Sequence, residues 1–197
     1  MTTVSEPGIS ALHRRALEVT GVVVGGLDSS CWEACTPCDE WTVRELLNHV
    51  IAGNWWAARL ASGASIADVG TELDGDQIGD DPRSSYDASA DAAARVFEAP
   101  GALAAPCAVS YGPVPGSVYA GHRFIDVLIH GWDLAVASGQ NSSLAPDLID
   151  GACQVLEPQL GMLRASGMFG DDLEIPADAD AETRLLMTLG RRPLPTS

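Results

Sequence analysis

The chain has 197 residues, 46% of them hydrophobic, which favours one globular domain with a real core over a disordered acidic tail. It carries 11 basic residues against 27 acidic ones, a formal net charge of −16, and every basic residue is an arginine. The absence of lysine excludes a Schiff-base enzyme that uses its own lysine and a phosphate-binding P-loop. The negative charge argues against nucleic acid and anionic membranes as partners.

Apolar residues recur mainly at helical steps of three and four residues, and six helices are predicted in chain order. The clearest start signal is the capping-box pair Thr42 and Glu45, preceded by Trp41, which can pack on the first turn as a hydrophobic staple. The predicted helices cover 7–24, 42–62, 86–98, 117–138, 146–163 and 178–189, and the predicted loops include 63–85 and 100–115.

This order of elements predicts an all-α fold, an up-and-down four-helix bundle with additional short helices. No internal repeat or linker divides the chain, so we expect a single domain over 1–197 with an irregular tail from about 190. The acidic stretch over 63–85 is expected to be a solvated loop.

The cysteines bear on compartment and on metal binding. Their number is odd and the N-terminal segment has no apolar core of the signal-peptide type, so we expect reduced thiols in a cytoplasmic protein. Three of them, Cys31, Cys35 and Cys38, form a C-x3-C-x2-C pattern. A closed structural zinc site needs a fourth ligand, so we favour buried or incidental thiols.

The helix predicted over 117–138 is apolar nearly all round and has one narrow polar stripe. At 100° per residue, four polar side chains fall within an arc of about 80°: His122, Asp126, His130 and Asp133. A helix of this kind is usually buried, so its polar stripe needs a partner, a metal ion or water.

Asp126 and His130 are four residues apart, so their side chains meet on one helical face and can hold one cation. His49, on the helix over 42–62, can supply a third ligand across the bundle. Two neutral imidazoles and one carboxylate suit Zn²⁺ and other divalent first-row metals, and three protein ligands leave one position open. Two simpler interpretations stay open: a solvent-facing helical pair, and a His49 that faces water. His13, which precedes two arginines, is expected at the surface.

Two segments of the chain resemble motifs of actinobacterial DinB-like proteins, which belong with the mycothiol-dependent maleylpyruvate isomerase metal-binding domain. TPCDEWTVRELLNHV over 36–50 is similar to the pattern T-P-C-x-x-W-T-V-x-x-L-x-x-H. DVLIHGWDLA over 126–135 is similar to the second motif, a carboxylate or His four residues before H-x-W-D-L. The ending over 184–193 also resembles that of short members, so the resemblance extends over nearly the whole chain.

The resemblance implies a DinB/YfiT-like four-helix bundle that binds a divalent metal, zinc first and nickel second, through His49, Asp126 and His130. Isomerase-type members have Glu in place of Asp126, and many DinB relatives have His. The isomerase also has a C-terminal domain beyond the bundle, and we expect this chain to be too short for a full one.

By the same resemblance, the expected activity is a transfer or isomerisation that uses a small thiol, mycothiol, as cosubstrate. Candidate residues around the metal or the substrate are His122, Asp133, Arg123, Tyr119 and Trp56. The alternative is a non-catalytic metal- or small-molecule-binding bundle with a stress or regulatory role. DNA cleavage, which the DinB name raises, is disfavoured by the negative charge. Bundles of this type often pair, so a homodimer is expected.

Overall fold

The computed structural model describes residues 7–38, 41–159 and 173–193. Its helices are α1 (Ile9–Gly25), α2 (Val43–Ala61), α3 (Ile66–Val69), α4 (Pro82–Glu98), α5 (Gly116–Ala137), α6 (Pro146–Leu156) and α7 (Ala181–Thr188), with a 3-10 turn at Glu157–Gln159. Helices α1 and α2 each pack against both α4 and α5, and this ring of four is the bundle. The predicted helical fold is therefore confirmed.

No helix in the described ranges is both long enough and apolar enough to cross a bilayer.

The start of α2 is fixed by the predicted capping box. The backbone N–H of Glu45 donates to Thr42 Oγ1 at 3.3 Å, and the backbone N–H of Thr42 donates to Glu45 Oε2 at 2.8 Å. Two otherwise orphaned N–H groups at the helix end are thereby satisfied. The cap fixes the start of α2, whose second turn carries His49.

The segment 63–85 is more ordered than the predicted loop. It contains α3 and the first turn of α4, which Asp81 caps and Pro82 opens. Its acidic middle is also tied to α2, because Asn48 Oδ1 accepts a hydrogen bond from the backbone N–H of Gln77 at 2.7 Å. The acidic composition indicates an exposed segment. It does not indicate the caps, because these depend on the hydrogen bonds of individual side chains.

The segment predicted as a loop over 100–115 consists of turns over 100–105, as predicted, followed by a β-hairpin over 106–115, which was not predicted. Strand β1 (Pro106–Val109) pairs antiparallel with β2 (Gly112–Pro115), and Cys107 lies opposite Val114. Strands of four residues with proline at their ends are too short to show a two-residue period. The sequence of this hairpin is therefore typical of a turn-rich loop. The hairpin leads directly into α5.

The later helices are shorter than predicted. The helix expected over 146–163 ends at Leu156 and continues only as the 3-10 turn, and residues 160–163 lie outside the described residues. The helix expected over 178–189 begins at Ala181, where the Asp180 side chain accepts from Thr183 N at 2.7 Å. The Asp180 cap therefore makes this helix begin later in the sequence than predicted.

Helix α5 is the most buried helix of the bundle and is packed closely against α1. A Cβ at Gly131 would lie 2.2 Å from Thr20 Oγ1, so only glycine fits there. The Thr20 hydroxyl donates to the Val127 carbonyl at 3.1 Å, which joins the two helices at this point. The close approach leaves the polar stripe of α5 to face α2 and the C-terminal segment.

The expectation that His13 lies at the surface is wrong. Its side chain on α1 is fully buried, and its ring meets the edge of Phe97 at a centroid distance of 5.2 Å. Neither ring nitrogen has a hydrogen-bond partner among the described residues. Burial, helped by the nearby charges of Arg123 and Arg14, lowers the pKa of His13 to about 3. His13 is therefore neutral in the folded chain.

We expect His13 to make folding stability depend on pH. Its pKa is about 3 when folded and 6.5 when free of the fold, so between these values the unfolded chain holds the extra proton. The His13 contribution is complete above pH 6.5. It falls by on the order of 1 kcal/mol per pH unit below that value until the folded pKa is reached.

Urea unfolding at about pH 7 and about pH 5 measures this effect. His13→Met should lose less stability between the two pH values than the wild type does. His122→Gln, which removes a histidine from a half-buried position, should keep the wild-type loss. Equal losses in the wild type and His13→Met would contradict the assignment.

Candidate metal centre

Three side chains from two helices of the bundle converge between α2 and α5. His49 lies about two turns into α2, and Asp126 and His130 lie one turn apart on α5. Their ligating atoms all lie within 4.8 Å of one another. We call these three residues the triad. Asp126 Oδ1 is its centre, 3.3 Å from His49 Nε2 and 3.7 Å from His130 Nε2.

The triad sits at the edge of the core. The His130 side chain is 9% exposed, whereas those of His49 and Asp126 are 34% and 27% exposed. One side of the triad is therefore closed by protein, and the other is accessible from solvent. The triad therefore has one solvent-facing side, formed by His49 and Asp126.

Asp126 is ionised in this setting. Burial alone would raise its pKa, but the charge of Arg123, together with His130 and His49, holds the pKa of Asp126 well below its usual range. Arg123 NH1 lies 3.0 Å from Asp126 Oδ2. That oxygen nevertheless accepts no aligned hydrogen bond from the described residues, so the contact is an ion pair held by charge.

A second carboxylate, that of Asp133, contacts the ring nitrogen of His130 that does not face Asp126. Asp133, fully buried, places Oδ2 3.1 Å from His130 Nδ1. A proton on Nδ1 satisfies this contact and leaves the Nε2 electron pair directed to Asp126. Asp133 is held in turn by Arg191, which follows α7 and donates from Nε at 3.1 Å and NH2 at 2.7 Å. This two-pronged pair fixes the carboxylate plane.

Cys38 also comes close to His130 and Asp133, and these three form a second group with metal-ligand spacing. Both oxygens of Asp133 already accept from Arg191, whose positive charge opposes a cation. In the triad, by contrast, Asp126 keeps Oδ1 directed to the two imidazoles. The triad is therefore the better cation site. No disulfide joins any of the five cysteines, all of which lie in the described part of the chain.

Trp41 is a site residue that the sequence interpretation assigned only to packing. Its ring stacks on His49 at a centroid distance of 4.5 Å and an interplanar angle of 27°. It also meets the ring of His130 at 5.8 Å in an edge-on arrangement. The available signal was its place directly before the cap of α2, which puts a large ring beside the first turns of that helix.

Arg191 was missed for a different reason. It lies 58 residues from Asp133 in the sequence, in a segment predicted as irregular tail. No periodicity links two positions so far apart, and an arginine near a predicted helix end is ordinarily a solvated side chain. Its burial to 8% exposure marks it as part of the structure behind the triad.

The remaining candidates have other contacts. His122 is half-buried, and its Nδ1 contacts the hydroxyl of Tyr111 on the hairpin. Tyr119 is buried with its ring against Phe97, and burial raises the pKa of Tyr119 to about 12, so its hydroxyl stays protonated at neutral pH. Trp56 is half-buried and packs against the apolar core.

Residues 13–135 match the family model described as the mycothiol maleylpyruvate isomerase N-terminal domain. Uncharacterized proteins of Mycobacterium tuberculosis strains ATCC 25618 / H37Rv and CDC 1551 / Oshkosh are each 33% identical over 184 residues, which is 91% of this chain and 95% of the relative.

Two solved structures are similar in fold. The crystal structure of the mycothiol-dependent maleylpyruvate isomerase has a TM-score of 0.60 at 17% identity and covers 81% of this chain and 72% of its own. A histidine-to-alanine variant of that isomerase has a TM-score of 0.63 at 16% identity, with coverages of 87% and 77%. At this identity the likeness concerns the fold alone.

The pairing behind His130 generates a stability prediction. Arg191→Met leaves the Asp133 carboxylate buried without its charged partner, so we expect the free energy of unfolding to fall by about 3–5 kcal/mol. Arg192→Met is the matched control, because Arg192 is exposed. It should change stability by no more than about 0.5 kcal/mol. Urea unfolding decides, and similar losses in both variants would refute the pairing.

Proposed function

The chain belongs to the mycothiol maleylpyruvate isomerase N-terminal domain family, and from this premise we propose that it is a divalent-metal protein that uses mycothiol in a transfer or isomerisation reaction. The proposed ligands are His49, Asp126 and His130. The observation that carries the proposal is the approach of both imidazoles to Asp126 Oδ1, at 3.3 and 3.7 Å. Tetrahedral ligands about 2.1 Å from one ion lie about 3.4 Å apart, so the donor spacing fits.

The donor set favours zinc, with nickel as the second choice. Two neutral imidazole nitrogens and one carboxylate oxygen are ligands that Zn²⁺ and its first-row neighbours accept, and three protein ligands leave a position for a small molecule. When bound, such an ion acts as a Lewis acid that lowers the pKa of a thiol or water or polarises a carbonyl.

The protein's own residues orient the ligands. Asp133, held by Arg191, keeps the proton of His130 on Nδ1 and so leaves Nε2 available. Trp41 covers one face of the His49 ring and limits the side from which water can approach. The substrate and the thiol would therefore enter from the exposed side of His49 and Asp126.

The proposed partner is a small thiol. The solved relative is described as mycothiol-dependent, and we extend that dependence to this chain as part of the proposal. We place the reaction in the cytoplasm, where thiols are kept reduced. The net charge of −16 disfavours nucleic acid and anionic membranes as further partners. Pairing of two chains, which is common for soluble proteins, completes the proposal.

The metal prediction is one divalent ion per chain. His49→Ala and His130→Ala each remove a proposed ligand, so elemental analysis of the purified variants should show most of the metal lost. His122→Ala, on the same helix as His130 but in contact with Tyr111, should keep wild-type occupancy. Circular dichroism establishes that each variant is folded. Unchanged occupancy in both ligand variants would rule out the site.

The thiol prediction concerns coordination and turnover. Protein loaded with Co²⁺ in place of zinc should develop a sulfur-to-cobalt charge-transfer band when mycothiol is added, and His130→Ala should not. Turnover in screens of unsaturated acids should require mycothiol. Metal binding with neither the band nor thiol-dependent turnover would favour the non-catalytic alternative, a metal-binding bundle with a stress or regulatory role.

A further inference from the structure

Asp126 is shared between the triad and a cation that the protein itself provides. One oxygen, Oδ1, faces the imidazoles of His49 and His130, while the other lies 3.0 Å from Arg123 NH1. Because Arg123 and Asp126 are three residues apart on α5, this ion pair runs along one face of the helix. The carboxylate thus already has a positive partner on its inner side.

The guanidinium of Arg123 is fixed in place. Its side chain is 9% exposed, and NH2 donates to Asn54 Oδ1 at 3.4 Å. It lies over Gly53 of α2, where a Cβ would come within 2.5 Å of both terminal nitrogens. Asn54 is itself fully buried and donates to Ser89 Oγ at 3.3 Å. These contacts hold the positive charge beside Asp126.

The buried position of Arg123 is energetically unfavourable by itself. Its buried Nε has no hydrogen-bond partner among the described residues. A buried donor without a partner loses the hydration it had in the unfolded chain. The ion pair with Asp126 offsets this loss, so the two residues depend on each other.

We propose that Arg123 is a resident counter-cation that stabilises the metal-free triad and weakens its hold on a divalent ion. The inference rests on the proposed metal site. With neutral histidines, the pair of Arg123 and Asp126 has no net charge, and a divalent ion raises the local charge to +2. Without the arginine, the same ion would take the triad from −1 to +1. Arg123 therefore favours the metal-free state and opposes the metal-bound one.

The central test is Arg123→Gln, which removes the charge and keeps a polar side chain. The zinc dissociation constant is measured by competition with a chromophoric chelator at one fixed pH. We expect binding to tighten by about tenfold or more, since a buried like charge next to the ion is lost. The melting temperature of the metal-free protein should fall, and added zinc should recover more of it than in the wild type.

A second variant keeps the arginine. Asn54→Asp puts a carboxylate where the amide oxygen now accepts from Arg123, so it offsets the charge without touching Asp126. Zinc binding should tighten several-fold. This variant decides the question if Arg123→Gln does not fold. Arg123→Lys preserves the charge and should stay near the wild-type dissociation constant.

The possible outcomes distinguish a failure of the Arg123 proposal from a failure of the proposed metal site. If the wild type binds zinc and Arg123→Gln binds it equally or more weakly, Arg123 is only a scaffold residue and the inference is wrong. Unchanged or weaker binding by Asn54→Asp would overturn it in the same way, as would tightening by Arg123→Lys equal to that of the Gln variant. A wild type that binds no zinc would overturn the metal site itself, and this inference with it.

Discussion

The burial of a polar stripe on α5 is the constraint on which the rest of the site depends. A helix that is apolar on nearly all sides is taken into the core, and every charged group on it then needs a partner. Each partner comes from a different place: His49 from α2, Arg123 from α5 itself and Arg191 from the segment after α7. The positions of α2 and of the segment after α7 against α5 satisfy this requirement.

Every basic residue of the chain is an arginine, and the positions near the triad are ones that arginine suits. Two of the few cationic side chains, Arg123 and Arg191, are buried on either side of the triad, each beside a carboxylate. Arginine suits such positions because it stays charged when buried and can face a carboxylate with two nitrogens. The chain as a whole carries a net charge of −16, whereas at the site each carboxylate is paired with a buried arginine.

Local signals made part of the structure predictable. The capping box at Thr42 and the periodicity of α5 depend on residues within one or two turns, and the four-residue spacing of Asp126 and His130 is of the same kind. The candidate triad could be named from these signals together with the motif that ends at His49. The structure brings the three side chains within contact of one another.

Features that depend on distant contacts could not be predicted. The burial of His13 follows from its place opposite Phe97, and the hairpin before α5 from the pairing of two very short strands. The role of Arg191 requires a contact across 58 residues. That same contact ties the site to a segment outside the bundle. Arg191 follows all four bundle helices in the chain, so a chain that ended before it would contain the triad but lack the cation that pairs with Asp133 next to His130.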